Sequence, residues 1–130
     1  TDPNIDEFDK FLFVRRDIKE ISIPSNIKII SSYAFENCSN LNKVEISPNS
    51  NLQIIGSCAF YKTIIKEFFI PSKVSKICEY AFFFCENLQI VEISEESKLE
   101  SFPLSAFDLC PKVIIMIPSS LKKKLIQTNE

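Results

Sequence analysis

The chain contains no histidine and a single glycine among its 130 residues. Without histidine, Ser-His-Asp and Cys-His catalysis and every histidine-bearing metal site are excluded. One glycine leaves no Gly-rich phosphate loop and no dinucleotide fingerprint, and it makes a fold built on tight hairpins improbable, since such turns need positive φ. No Cys-x-x-Cys pair occurs, which removes zinc ribbons and thioredoxin-type redox motifs. There is no basic excess either. The net charge is −2 and the pI near 5.3, so no strongly basic face is available to neutralise phosphates, and nucleic acid is not an expected partner. Lys122-Lys123-Lys124 is too short to change that and reads as a solvated end. No run approaches the ~18 consecutive apolar residues of a membrane span. Paired carboxylates such as Glu95-Glu96 fall in a connecting loop and read as solvated charge. No catalytic constellation can be built, so neither an enzyme nor a cofactor or metal is expected.

What is present is ordinary for one globular domain: 45% apolar and 25% charged residues. The opening TDPNIDEFDK is acidic and polar, unlike a secretory signal. Five cysteines is an odd count and awkward for a fully paired disulfide framework.

The organising feature is a repeat. Ala-Phe occurs at Ala34-Phe35, Ala59-Phe60, Ala81-Phe82 and Ala106-Phe107, at separations of 25, 22 and 25 residues. Seven residues before each alanine stand Ile27, Leu52, Val74 and Leu99, and four before it Ile30, Ile55, Ile77 and Phe102. Four residues after it stand Cys38, Thr63, Cys85 and Cys110. Each unit closes on Ile-Pro or Ile-Ser: Ile23-Pro24, Ile46-Ser47, Ile70-Pro71, Ile93-Ser94 and Ile117-Pro118. Two residues before each of these isoleucines sits a further apolar side chain, Ile21, Val44, Phe68, Val91 or Ile115. Alternation such as KVEIS and IVEIS is the period-2 signature of a short strand with one buried face. The Ile-Pro strands lead into connections two residues shorter than the Ile-Ser strands, as if a two-repeat block had been duplicated. A unit of ~23 residues cannot bury enough surface alone, so the units must stack.

The pattern I/L/V-x-x-I/F-x-x-x-A-F-x-x-C/T, followed by L-x-x-V-x-I-P, resembles the BspA-type leucine-rich repeat, a form that recurs in surface antigens of bacteria and parasitic protists. The likeness runs from about Ile18 to Leu121. It implies an α/β repeat solenoid: a leucine-rich-repeat horseshoe with a parallel concave β-sheet of about five strands and a helical or irregular convex side carrying the Ala-Phe segments. Residues 1–20 are expected to form an N-terminal cap or leader, 21–118 four leucine-rich repeats of 23–24 residues, and 119–130 a C-terminal cap or tail. The leader FDKFLFVRRDIKEI, with Phe8, Phe11, Leu12 and Val14, reads either as a cap on the first coil or as the trace of an array continuing upstream. Two departures stand out. The family commonly has glycine just after the second apolar column, where this chain has Ser31, Gly56, Cys78 and Pro103, and Thr63 replaces one column cysteine.

The repeat parses the segment YAFFFC at residues 80–85. Phe82 belongs to the Ala-Phe column and should be buried. Phe83 shares its column with Glu36, Tyr61 and Asp108, and Phe84 with Asn37, Lys62 and Leu109, so both should reach the surface. Cys38, Cys85 and Cys110 read as small buried side chains, and free thiols are the default, since stacked side chains run parallel where a disulfide needs converging Cβ atoms. Asn37-Cys38-Ser39 is a glycosylation acceptor only within a secretory pathway.

Function must then come from the faces. Residues between the buried strand positions form two columns, Ser22, Glu45, Phe69, Glu92, Met116 and Glu20, Lys43, Glu67, Ile90, Ile114. The candidate partner-binding residues are Phe69, Ile90, Glu92, Ile114 and Met116, an apolar cluster around one carboxylate. The competing reading has the C-terminal segment, through Leu121 and Leu125, folded over it. A convex cluster of Tyr61, Phe83, Phe84 and Leu109 is a possible second interface for a homo-oligomer, or else a covered satellite of the core. The resemblance implies a non-enzymatic protein–protein interaction module, an adhesin-like protein at the cell surface or secreted, binding host-surface or extracellular-matrix proteins. The free thiols and the signal-free start point instead to a cytoplasmic scaffold or regulatory repeat protein.

Overall fold

Alternating side chains in EISI, KVEI, EFFI, IVEI and IIM favour strands, because one face can be buried while the other stays in water. A computed structural model of the chain describes residues 7–8 and 15–128, with side chains from 15 to 123. In chain order the elements are β1 (Glu7–Phe8), β2 (Glu20–Ile23), β3 (Ile29–Ile30), β4 (Lys43–Ile46), β5 (Ile54–Ile55), β6 (Glu67–Ile70), β7 (Lys76–Ile77), β8 (Ile90–Ile93), a 3-10 turn (Leu104–Phe107), β9 (Ile114–Met116) and α1 (Ser119–Thr128). All strand pairing is parallel. The coils that begin at β2, β4 and β6 therefore each carry a longer strand, a turn, a two-residue strand and an Ala-Phe turn, while the coil from β8 reaches its Ala-Phe pair through a 3-10 turn instead.

The two-residue strands form their own sheet in the order β1-β3-β5-β7, which places Ile30 beside Ile55 and Ile55 beside Ile77. The sequence pattern marked that column as apolar without marking it as strand. Both sheets and the Ala-Phe turns face one core, in which Phe35, Phe60, Phe82, Ile30, Ile55 and Leu88 have no measurable exposure. The four Ala-Phe rings stack on one another: Phe35 on Phe60 at 5.1 Å, Phe60 on Phe82 at 5.3 Å and Phe82 on Phe107 at 5.3 Å between centroids, all within 11° of parallel. Phe68 packs edge-on against two of them, 5.1 Å from Phe60 and 4.9 Å from Phe82.

The convex side is irregular rather than helical. Tyr33, Cys58 and Tyr80, each directly before its alanine, take φ of 66°, 55° and 62°, and Asn37, Lys62, Phe84 and Leu109, three residues after it, take φ between 58° and 64°. These left-handed positions turn the chain sharply and prevent helix propagation. The last unit departs from this. Pro103 holds φ at −71° and opens the 3-10 turn Leu104–Phe107. The glycine column thus works in two ways. Gly56 does not have positive φ; it is there for room, since a Cβ on it would collide with Ser32 N and lie 2.7 Å from Ser31 C and 2.9 Å from Ile30 O, while its own N–H bonds Ile30 O at 2.8 Å.

The first coil is closed by a side chain. In successive coils the carbonyls of Ala59, Ala81 and Ala106 accept the N–H groups of Phe35, Phe60 and Phe82, and those of Tyr61, Phe83 and Asp108 accept the N–H groups of Asn37, Lys62 and Phe84. The matching carbonyls of the first coil are those of Ala34 and Glu36. Arg16 donates through Nη2 to Ala34 O at 3.2 Å and through Nη1 to Glu36 O, so one guanidinium fork takes both places.

The concave strands depart from one continuous sheet. They stand in the expected order, but hydrogen bonding divides them into a β2-β4 ladder and a β6-β8-β9 ladder. Ile64 N–H reaches Leu41 O at 3.0 Å just before the strands, and no backbone bond then joins β4 to β6. Phe68 distinguishes this junction: its ring fills a column that Ile21, Val44, Val91 and Ile115 otherwise occupy, and it holds β6 against the phenylalanine stack.

Two stability predictions follow from this packing. Gly56→Ala should cost about 1–3 kcal/mol, because the added methyl meets backbone and forces neighbouring coils apart; urea unfolding measures it, and an unchanged midpoint contradicts the close approach. Arg16→Ala should cost about 1–2 kcal/mol, with Arg16→Lys recovering little, since an ammonium lacks the fork that reaches both carbonyls; equal stability of the arginine and lysine proteins would contradict the capping role.

Candidate functional site

Strand alternation sends Ile21, Val44, Phe68, Val91 and Ile115 inward and the residues between them outward. Register then decides which outward side chains meet. Glu67 lies beside Ile90 and Ile90 beside Ile114; Phe69 lies beside Glu92 and Glu92 beside Met116. All five candidate residues thus share one face. Ile90 is 39% exposed, Ile114 65% and Met116 52%, while Phe69 is half-buried and Glu92 exposed. Leu121 is buried, yet the outward face of β9 stays in water, so the described part of the C-terminal segment does not cover the patch. The side chain of Leu125 lies outside the described residues.

The N-terminal half of the same face is polar and tied together. Lys43 Nζ bonds Glu45 Oε1 at 3.1 Å, and Ser22 Oγ donates to Glu45 Oε2 at 3.2 Å. The Lys43 hydrogen bond holds the Glu45 carboxyl below its ordinary pKa, helped by Ser22, and the Glu45 bond in turn raises that of Lys43, with Glu20 and Glu67 adding to the field. Glu67 and Glu92 have no ion-pair partner among the described residues. Between the two halves, at the break between β4 and β6, lies an open cleft of about 280 Å³ lined by Val44, Glu45, Glu67, Phe69, Ile90 and Glu92. Sequence reasoning missed it, since nothing in the repeat marks where a ladder stops.

On the convex side Tyr61 stacks on Phe83 at 5.4 Å, Tyr80 and Phe84 meet Phe83 edge-on at 5.2 and 6.2 Å, and Lys62 Nζ lies 5.5 Å from both the Tyr61 and Phe84 centroids. Three of the four second-interface residues are thus joined in one ring cluster, which includes Tyr80, a residue the sequence columns did not single out. Leu109 sits apart from those ring contacts at 56% exposure, and Leu104, also not anticipated, reaches 80%.

The cysteines are free. Cys38, Cys85 and Cys110 are buried, and their column does mechanical work: Cys85 Sγ donates to Phe60 O at 3.1 Å and Cys110 Sγ to Phe82 O at 3.0 Å. Thr63, the departure from that column, is buried with its hydroxyl 3.4 Å from Cys85 Sγ, so its partner is a thiol rather than backbone. The contact with Cys110, together with burial, holds Cys85 protonated well above the ordinary thiol range. Among the described residues no three His, Cys, Asp or Glu side chains are grouped to hold a metal, and no helix is long and apolar enough to cross a membrane.

These coils define a class. The family model of the BspA type Leucine rich repeat region matches residues 6–128 in 6 copies, and the chain belongs to that family. No match was found among curated proteins. Among solved structures, the chain is similar to a leucine rich cell surface protein from Faecalibacterium prausnitzii A2-165, with a TM-score of 0.60 and 18% identity over 85% of this chain. A leucine-rich repeat protein from Bacteroides ovatus ATCC 8483 matches at 28% identity over 82% of the chain with a TM-score of 0.45, and the pneumococcal vaccine antigen PcpA at 19% over 81% with a TM-score of 0.40. The chain spans 34%, 39% and 40% of the lengths of the Faecalibacterium, Bacteroides and pneumococcal proteins respectively.

The thiol environments give a chemical prediction. Cys58 and Cys78 are partly exposed, so an aromatic disulfide reagent should modify these two in the folded protein, Cys58 slowed by the burial that raises its thiol pKa, and the three buried thiols only on unfolding. Peptide mapping of the labelled sites checks it, and rapid labelling of Cys85 in the folded protein would contradict the buried ladder.

Proposed function

We propose that the protein is a non-enzymatic interaction module of a cell-surface protein and that it binds protein partners on the host surface or extracellular matrix through the concave face. The observation that carries this is the contiguous outward patch of Phe69, Ile90, Ile114 and Met116 around Glu92, held in register by the parallel β6-β8-β9 ladder. Large apolar side chains left in water in contact with one another mark an interaction surface more often than a neutral one. The patch also has the anatomy of a binding centre: a rigid strand scaffold, apolar anchors and a polar margin supplied by Glu67 and Glu92. Membership of a family with surface-protein neighbours supports the location, and the absence of any grouped catalytic side chains in the sequence pattern fits binding rather than turnover.

A second reading concerns self-association through the convex ring cluster. It is favoured by the ring cluster of Tyr61, Phe83 and Phe84 and by the exposure of Leu104 and Leu109.

The Ile90→Lys/Met116→Lys protein tests the first reading. Both positions are exposed, so folding should be unchanged by circular dichroism while capture of a partner from host-surface and matrix extracts is lost. Capture equal to wild type would refute the concave-face reading. For the second, Leu104→Asp/Phe84→Asp should shift a concentration-dependent oligomer to monomer in sedimentation; a wild-type protein that stays monomeric throughout removes it.

A further inference from the structure

We infer that the break between β4 and β6 is a seat for an extended peptide segment with the pattern basic-x-apolar-x-basic, a partner class that rests on reading the concave face as a protein-binding surface. Three observations converge on it. The first is the backbone. β4 ends one ladder and β6 begins the next with no bond between them, so two strand edges face each other across the 280 Å³ cleft. The two strands stand too close to admit a third between them, so an extended chain seats over the cleft on the outward face rather than as an inserted strand. A cleft of this volume is at the lower limit for a drug-sized molecule and fits one or two side chains of a peptide.

The second is the arrangement of side chains on the near wall. Glu67 and Phe69 of β6 stand beside Ile90 and Glu92 of β8, so the four make a checkerboard with carboxylates on one diagonal and apolar groups on the other. In an extended chain, residues i, i+2 and i+4 face the same way and span about 13 Å. The two carboxylate positions lie about 8 Å apart on their diagonal. Long lysine or arginine arms at i and i+4 reach inward over that difference, which leaves the apolar residue at i+2 over Phe69 and Ile90.

The third is charge. Glu45 is already engaged by Lys43 and Ser22, whereas Glu67 and Glu92 have no ion-pair partner among the described residues. The unpaired charge beside the cleft is therefore negative, which selects a basic segment and disfavours an acidic one.

The test uses two blocked peptides, GKSLSKG and GESLSEG, titrated to the order of millimolar into the isotopically labelled chain and followed by backbone amide shifts. GKSLSKG should move amides of Glu67–Ile70 and Ile90–Ile93 and bind more weakly as salt rises, and GESLSEG should not bind. Glu67→Gln/Glu92→Gln, two exposed and isosteric changes, should weaken GKSLSKG by about tenfold or more. Equal binding of the two peptides, shifts confined to other coils, absence of binding, or indifference to the double variant would each overturn the inference. Its failure is separable from that of the concave-face reading. A captured partner lost by Ile90→Lys/Met116→Lys but kept, at full affinity, by Glu67→Gln/Glu92→Gln leaves the face a binding surface and removes the basic segment as its ligand. Cleft binding of GKSLSKG by a protein that captures no surface partner supports the seat and refutes the surface-partner reading.

Discussion

The stack of phenyl rings from Phe35 through Phe60 and Phe82 to Phe107 is the constraint on which the remaining geometry rests. Its centroid spacings of 5.1 to 5.3 Å are close to the ~4.8 Å at which neighbouring parallel strands sit. Rings stacked near face to face and backbones bonded side by side therefore ask for almost the same rise per coil, and one element satisfies both. Around the stack the peptide groups follow: the N–H groups of Phe35, Phe60 and Phe82 each bond the carbonyl of the alanine in the next coil. The adjoining thiols point the other way, back to the carbonyls of Phe60 and Phe82. A column of cysteine and threonine serves here because only a small side chain with a donor fits between a buried ring and a neighbouring carbonyl.

In a structure stabilised by contacts between neighbouring coils, each turn carbonyl needs a donor from beside it. At Ala34 and Glu36 that donor is Arg16. The carbonyls of Ala34 and Glu36 would otherwise face water or whatever precedes them, and a planar guanidinium supplies two donors in place of two peptide groups. β1 extends the short-strand sheet on the same side by pairing with β3. At the other end, α1 follows β9 directly and buries Leu121 against the core, leaving the outward side of β9 in water. These contacts involve the core and the turns and leave the outward residues of β8 and β9 exposed.

That face is where the fold permits variation. Inward positions must satisfy the stack and its surroundings, whereas the outward positions of the same strands carry Glu, Lys, Ser, Phe, Ile and Met with no penalty to the core. The proposed binding face is therefore built from side chains that contribute little to the core. Phe68 stands where the two meet: inside, its ring makes edge contact with Phe60 and Phe82, and its strand is the one beside the break in the concave sheet.

The repeat by itself determined the solenoid, the positions of the five longer strands, the buried phenylalanine of each Ala-Phe pair, the buried column of Cys38, Thr63, Cys85 and Cys110, and the neighbours of Phe69, Ile90 and Met116. All of these depend on period and register, and period is written in one dimension. Tertiary structure alone decided the short-strand sheet through Ile30, Ile55 and Ile77, because two residues are too few to show alternation. It decided the turn conformations at Tyr33, Cys58 and Tyr80, where crowding between coils selects a left-handed backbone that these residue types do not announce. It decided that Gly56 is needed for the closeness of Ser32 rather than for a positive φ. It also decided where the concave sheet breaks, since a ladder persists or stops according to how bulky side chains from different coils share one interior, and that competition has no local signature in the chain.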